Sequence, residues 1–226
     1  MNLSWTCFSR GLVTVSIVVG LLPAIAGAQS PAPSSNGLKK ANPRPTPNAG
    51  APKAEPFDGV PVEKMLDQCV TLETEQGAVV MEMLPAKAPE TVRNFLNLAA
   101  TGVLDTTVFS RVVRGFVIQG GDLQTSERWN NELAARMARH IPDEPSDVNH
   151  VRGIVSMARS SEPNSASTHF FILVGDGPHL DGKFAAFGRV LRGMEVADAI
   201  NRAPAEGETP SVPVRINRAS VAPCTK

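Results

Sequence analysis

A mainly β domain, built as a barrel or a sandwich, is what this 226-residue chain predicts from about Met65 onward. Three observations carry the prediction. Short runs alternate apolar and polar residues, glycine-bearing turns separate those runs, and only two stretches read as clear helices. Val70, Leu72 and Thr74 alternate with Thr71 and Glu73; after a turn at Gly77, Val79, Met81 and Met83 alternate with Val80, Glu82 and Leu84, so the domain opens on a hairpin. Pro89, followed by Val92, Phe95, Leu96 and Ala99, gives a helix with proline in its first turn and a stop near Gly102. Strands are then expected over 108–119, 154–157, 169–174, 185–190 and 212–221. A shorter helix runs from Glu195 to Asn201, with Val196 and Ile200 on one face and Pro204 ending it. No internal repeat is visible.

Residues 1–28 read as a signal peptide. Arg10 is the one charged residue, an apolar stretch runs from Leu12 to Leu22, and Ala26-Gly27-Ala28 offers the small residues a signal peptidase takes. The competing reading is a retained anchor, because Gly11 to Ala28 is uncharged and approaches the ~18 residues that first suggest a span. The glycines, Pro23 and the small-residue ending favour cleavage, leaving no stable membrane insertion. Cys7 lies too early in the segment for a lipoprotein cysteine. Residues 29–64 carry eight prolines among Ser, Asn, Ala and Lys. That composition offers too little apolar surface to offset ordering entropy, so a solvated, semi-extended tether is expected before a domain spanning 65–226.

Lysine plus arginine and aspartate plus glutamate both number 22, which removes any charge-based case for nucleic acid or an anionic membrane. A serine hydrolase is disfavoured because no G-x-S-x-G elbow occurs. Zinc is disfavoured because His140, His150, His169 and His179 are spread along the chain with no cysteine pair among them, so no metal ligand is assigned.

Three separated blocks bear on function: VFSRVVRGFVIQGGD at 108–122, SMARSSEPNSASTHFFI at 156–172 and HLDGKFAAFGRV at 179–190. In this order and near-spacing they resemble the cyclophilin family of peptidyl-prolyl cis-trans isomerases. The resemblance implies a closed eight-stranded antiparallel barrel capped by two α-helices. It implies an enzyme that accelerates X-Pro isomerisation in unfolded or folding polypeptides, without cofactor and as a monomer; together with the signal peptide, this reads as an exported bacterial isomerase of the periplasm. Secretion, or anchoring by an uncleaved N-terminus, is the alternative location.

The chemistry agrees with that implication. Rotation about a prolyl bond crosses a barrier near ~20 kcal/mol and takes tens to hundreds of seconds unaided. Three to five decades of acceleration require roughly 4 to 7 kcal/mol of transition-state stabilisation. Twisting destroys the amide resonance and localises a lone pair on the prolyl nitrogen, so a fixed donor aimed there favours the twisted state with no nucleophile, metal or cofactor. By resemblance Arg111 is that donor, while Arg114 occupies a turn. Phe116, Met157, Phe171 and Leu180 match the family's hydrophobic proline pocket, a fitting enclosure for a ring held while its amide rotates. Gln119 matches the glutamine that binds substrate backbone and orients the arginine. Ala158 matches a residue beside the pocket, and the main chain of Arg159 matches a strand-like edge for substrate.

Departures fall mostly on ligand contacts. His179 stands where animal cyclophilins carry a tryptophan, His169 where they carry glutamine, Phe184 where they carry histidine, and Ser110 replaces a frequent histidine. Residues 129–141 replace a glycine-rich loop, and Leu133, Met137 and Ile141, four apart, suggest a helical or loop insertion near the binding face. In a cyclophilin barrel the first and last strands are antiparallel neighbours, which implies a Cys69–Cys224 disulfide in an oxidising compartment. The rival function is an exported chaperone or proline-peptide binding module with incidental catalysis. Arg111, Phe116 and Gln119 together favour the enzyme, since a binder need not keep the arginine.

Overall fold

The computed structural model describes residues 54–225. The expected signal peptide at 1–28 and tether residues 29–53 lie outside them. In chain order the elements are α1 (Val62–Met65), β1 (Gln68–Thr74), β2 (Gly77–Met83), α2 (Pro89–Ala100), β3 (Arg111–Val113), β4 (Val117–Gly120) and α3 (Asn131–Met137). They continue with β5 (Ile154–Met157), β6 (Phe170–Leu173), β7 (Ala186–Arg192), α4 (Met194–Arg202), β8 (Ala205–Glu206), β9 (Thr209–Pro210) and β10 (Ile216–Pro223).

Eight strands form one antiparallel sheet in the order β10-β1-β2-β7-β5-β6-β4-β3. The expected closure is not met: the sheet is an open, curled half-barrel, because its end strands β3 and β10 share no ladder. Irregular chain spans the gap instead. Phe109 N–H donates to Val214 C=O at 2.9 Å and Ile216 N–H to Thr107 C=O at 2.8 Å, beside a single Val108–Arg215 bridge. Pro213 lacks the N–H that a longer terminal strand would need. The run read as one strand over 108–119 divides into the β3–β4 hairpin, since Gly115 adopts φ 72°, a conformation that suits glycine, and turns the chain.

The concave side holds the core. Phe95 on α2 meets Phe170 on β6 with ring centres 5.1 Å apart and Phe187 on β7 at 4.8 Å, all three fully buried. Helix α2 begins without a side-chain cap on Ala88; the Glu144 carboxylate accepts from the Glu90 and Thr91 N–H groups instead, at 3.0 and 2.7 Å. The insertion is helical, as α3. Its N-cap is Asn130, whose Oδ1 accepts from Glu132 and Leu133 N–H, and Leu133, Met137 and Ile141 turn onto the core.

Composition placed the tether's end at residue 64, but residues 55–64 lie on the domain. Arg93 donates to the carbonyls of Phe57 and Val60, Phe57 N–H donates to Asn97 Oδ1 at 2.7 Å, and Asn97 Nδ2 donates to Asp58 at 2.9 Å. Glu55 pairs with both Arg136, at 2.8 Å, and Arg139. Arg136 is buried, and desolvation pulls its guanidinium pKa down while Glu55 pulls it back up. Polar anchoring of this kind leaves no apolar periodicity to read. Glu55→Gln should therefore cost about 3 kcal/mol, because Arg136 loses its counter-charge in a buried setting. Urea unfolding of parent and variant checks this, and coincident midpoints would remove the pair as the anchor.

Candidate functional site

Register brings the site together. Arg111 on β3 opposes Gln119 on β4, Gln119 opposes Phe171 on β6, and Phe171 opposes Ser156 on β5. Directly opposed residues share a sheet face, so these four form a row across four strands on the convex side. Arg111 Nη1 donates to Gln119 Oε1 at 3.1 Å, and Arg111 Nε donates to Glu208 Oε2 at 2.6 Å. The neighbouring guanidinium, by hydrogen bond and charge, holds the Glu208 carboxyl below its ordinary pKa.

Beside the arginine lies an apolar cluster separate from the core. Val117, Ile154, Phe171, Leu173, Leu180 and Ala186 form its buried floor, with Phe116, Ala158 and Phe184 partly exposed on it. The Phe171 ring meets Phe184 edge-on at 6.1 Å, and the Phe116 ring lies 5.3 Å from the exposed His179 imidazole. A side chain at Gly177 would place its Cβ 2.8 Å from the Phe116 ring, so the turn before His179 needs glycine's small size. Arg111, Phe116, Gln119, Ala158, Phe171, His179 and Leu180 thus gather on one surface.

Met157 does not join them. It is 2% exposed, opposes Phe170, and belongs to the interior core. The reason is the two-residue period of a strand: with Ser156 opposite Phe171 on the convex side, Met157 must point the other way. Its neighbour Ala158, just past the strand, serves the site side.

A recess of about 170 Å³ adjoins the apolar cluster, lined by Gln119, Ala158, Arg159, Ser160, Ser165, Ser167 and His169. Burial lowers the His169 pKa, against an opposing pull from Asp122, and so keeps the ring neutral over more of the pH range. The insertion braces the 165–167 segment of this wall, since Ile141 N–H donates to Ala166 C=O at 2.9 Å. The Arg159 main-chain N–H and C=O have no hydrogen-bond partner among the described residues. Its guanidinium turns away from them, 5.1 Å above the Phe184 ring and donating to Lys183 C=O.

Several residues gave no sequence signal. Glu208 lies 97 positions from the arginine it pairs with. Asn201, buried at the end of α4, holds the β3–β4 turn: its Oδ1 accepts from Gly115 N–H at 2.8 Å, and its Nδ2 donates to Val113 and Val117 C=O at 2.8 and 3.0 Å. Buried His150 sits between Asp181 Oδ1 at 3.0 Å and Ser156 Oγ at 3.1 Å. This resembles a hydrolase triad only in composition. Ser156 is fully buried and its hydroxyl donates to Ala185 C=O at 2.8 Å, so no substrate reaches it. The set instead ties the turn carrying His179 and Leu180 to β5. No group of three metal-binding side chains occurs among the described residues.

A family profile described as cyclophilin type peptidyl-prolyl cis-trans isomerase/CLD matches residues 69–221. "Peptidyl-prolyl cis-trans isomerase CYP18-1" of Arabidopsis thaliana is 35% identical over 155 residues, covering 67% of this chain and 94% of the relative. A "Probable peptidyl-prolyl cis-trans isomerase" of Brucella suis is 35% identical over 167 residues, 71% of this chain and 85% of the relative. Among solved structures, a cyclophilin type isomerase of Cryptosporidium parvum, crystallised in the presence of the dipeptide Ala-Pro, superposes with a TM-score of 0.61. It is 28% identical and covers 68% of this chain and 98% of its own.

Proposed function

The chain belongs to the cyclophilin-type peptidyl-prolyl cis-trans isomerase family, and from that premise we propose that it isomerises X-Pro bonds in exported polypeptides, with Arg111 as the catalytic residue. The observation that carries the reading is the hydrogen bond between Arg111 and Gln119 at the rim of the Phe116–Phe171–Leu180 cluster. A proline ring seated on that cluster puts its amide beside a cation that does not need to reorganise. As the bond twists, the guanidinium donates to the localising nitrogen lone pair, an interaction the planar ground state cannot make. The Arg159 main chain, uncommitted among the described residues, gives the substrate backbone a strand-like partner. Gln119 orients the arginine, and Ala158 and His169 flank the neighbouring residues of the peptide. Protease-coupled isomerisation of an X-Pro peptide tests the assignment; turnover no faster than the uncatalysed rate would overturn it.

Export to a bacterial periplasm, and action there as a monomer on folding proteins, form the remainder of the proposal. The signal-peptide pattern of residues 1–28 and the relatives in Brucella support the export and the bacterial source. The Cys69–Cys224 disulfide suits an oxidising compartment.

His179 makes ligand preference testable. An exposed imidazole stands where the family's tryptophan contacts cyclosporin, so both indole area and its N–H donor are missing. Cyclosporin should bind the parent weakly while peptide turnover persists, and His179→Trp should tighten binding about tenfold. Calorimetric titration reads both proteins, and nanomolar binding by the parent would refute the prediction.

A further inference from the structure

The guanidinium of Arg111 has five N–H donors, and the structure shows where two of them go. Nε–H is taken by Glu208 Oε2 at 2.6 Å and one Nη1–H by Gln119 Oε1 at 3.1 Å. Among the described residues both Nη2 hydrogens and the second on Nη1 have no acceptor. Two acceptors on different nitrogens fix the plane of the group; Gln119 alone would leave it to swing about one contact.

Glu208 is itself held in place. Its carbonyl accepts from Val112 N–H at 2.8 Å, on the edge of β3 that faces away from β4, so its backbone is anchored one residue from Arg111. It lies in the tight turn between β8 and β9, which pair through Ala205 with Pro210 and Glu206 with Thr209. The preceding segment is fastened to the same catalytic hairpin: Arg202 C=O accepts from Arg114 Nη1 at 2.8 Å, and Asn201 holds the turn. The carboxylate thus approaches Arg111 from a fixed platform. Of the charged groups around it, Arg111 is the one it contacts, and Glu206 shares its hairpin.

We propose that Glu208 is a positioning residue for catalysis: with Gln119 it locks the Arg111 guanidinium in the orientation that offers its uncommitted N–H groups to the prolyl amide. The proposal rests on Arg111 being the catalytic donor. It differs from a structural ion pair in what it controls, namely the geometry of the twisted state and not substrate affinity. The backbone contact to Val112 does not depend on the side chain, so substitution removes the lock and leaves the hairpin anchored.

Glu208→Ala and Glu208→Gln are measured in the full chain against the parent, with Arg111→Ala alongside. Glu208→Ala should lower kcat about three- to fivefold with KM unchanged, as suits loss of one exposed charged contact. Glu208→Gln, which keeps an acceptor for Nε, should retain more than half the parental kcat. The pH profile gives an independent readout. Arg111 keeps Glu208 ionised below the ordinary carboxylate range, so parental kcat should hold through that range and fall, by less than twofold to the Glu208→Gln level, only as pH drops through the lowered pKa. In Glu208→Gln that acid limb should be absent at pH values where circular dichroism shows the fold intact. A parental kcat in Glu208→Ala, or an acid limb surviving in Glu208→Gln, overturns the role of Glu208. Full activity in Arg111→Ala would overturn the underlying assignment instead, so the two failures are told apart.

Discussion

Arg111→Ala should lower kcat/KM for an X-Pro peptide by about 10²- to 10³-fold, the usual cost of deleting one fixed donor from the site of developing charge. The loss should fall on kcat, because the side chain is asked to favour the twisted amide and not to hold the ring, which Phe116, Phe171 and Leu180 enclose. Stability should barely change. The side chain is 43% exposed, and its partners Glu208 and Gln119 can turn to water when it is gone. Arg111→Lys should recover little, since an ammonium cannot donate to Glu208, Gln119 and substrate at once from one plane. Stopped-flow isomerisation and thermal melts, run on the same preparations, check both halves. An Ala variant as active as its parent would end the assignment of the arginine.

Removing the Cys69–Cys224 bond should cost up to about 5 kcal/mol on the chain-entropy account, because it closes 155 residues of sequence. For a domain of this size the melting temperature should then fall by about 10 °C in the Cys69→Ser/Cys224→Ser protein. The folded architecture should persist, since β1 and β10 pair from Gln68–Pro223 to Thr74–Ile216 without the sulfurs. Isomerase activity at 25 °C should also persist, as the bond lies at the Gln68–Pro223 end of the β1–β10 ladder, whereas the chain leading into β3 meets the other end, at Val214 and Ile216. Alkylation without reductant, followed by mass spectrometry, should leave Cys69 and Cys224 unlabelled and find one linked pair of peptides. Two alkylated cysteines in folded, oxidised protein would contradict the bond.

Much of this was legible because strands write their faces into sequence. The alternation at 70–83 gave β1 and β2, and the 154–157 run gave β5 to the residue. Closure was not legible, since it depends on whether the backbones of β3 and β10 meet, a matter of curvature and of Pro213 rather than of apolar pattern. Met157 was misassigned because block resemblance carries residues over by adjacency, while the side chains in a strand are sorted by parity. The site's apolar half could be read from aromatic residues in strands. Its polar supports, Glu208, Asn201 and the His150 set, come from distant segments joined by single hydrogen bonds, which leave no periodic trace.

An open sheet has ends, and one end of this sheet is the strand that carries Arg111. Such a strand presents main-chain donors and acceptors to any extended chain in solution. Here the outward N–H of Val112 is occupied by Glu208 C=O, and the two-residue strands β8 and β9 offer little length on which a further strand could add. The hairpin therefore acts as a stop against templated self-association.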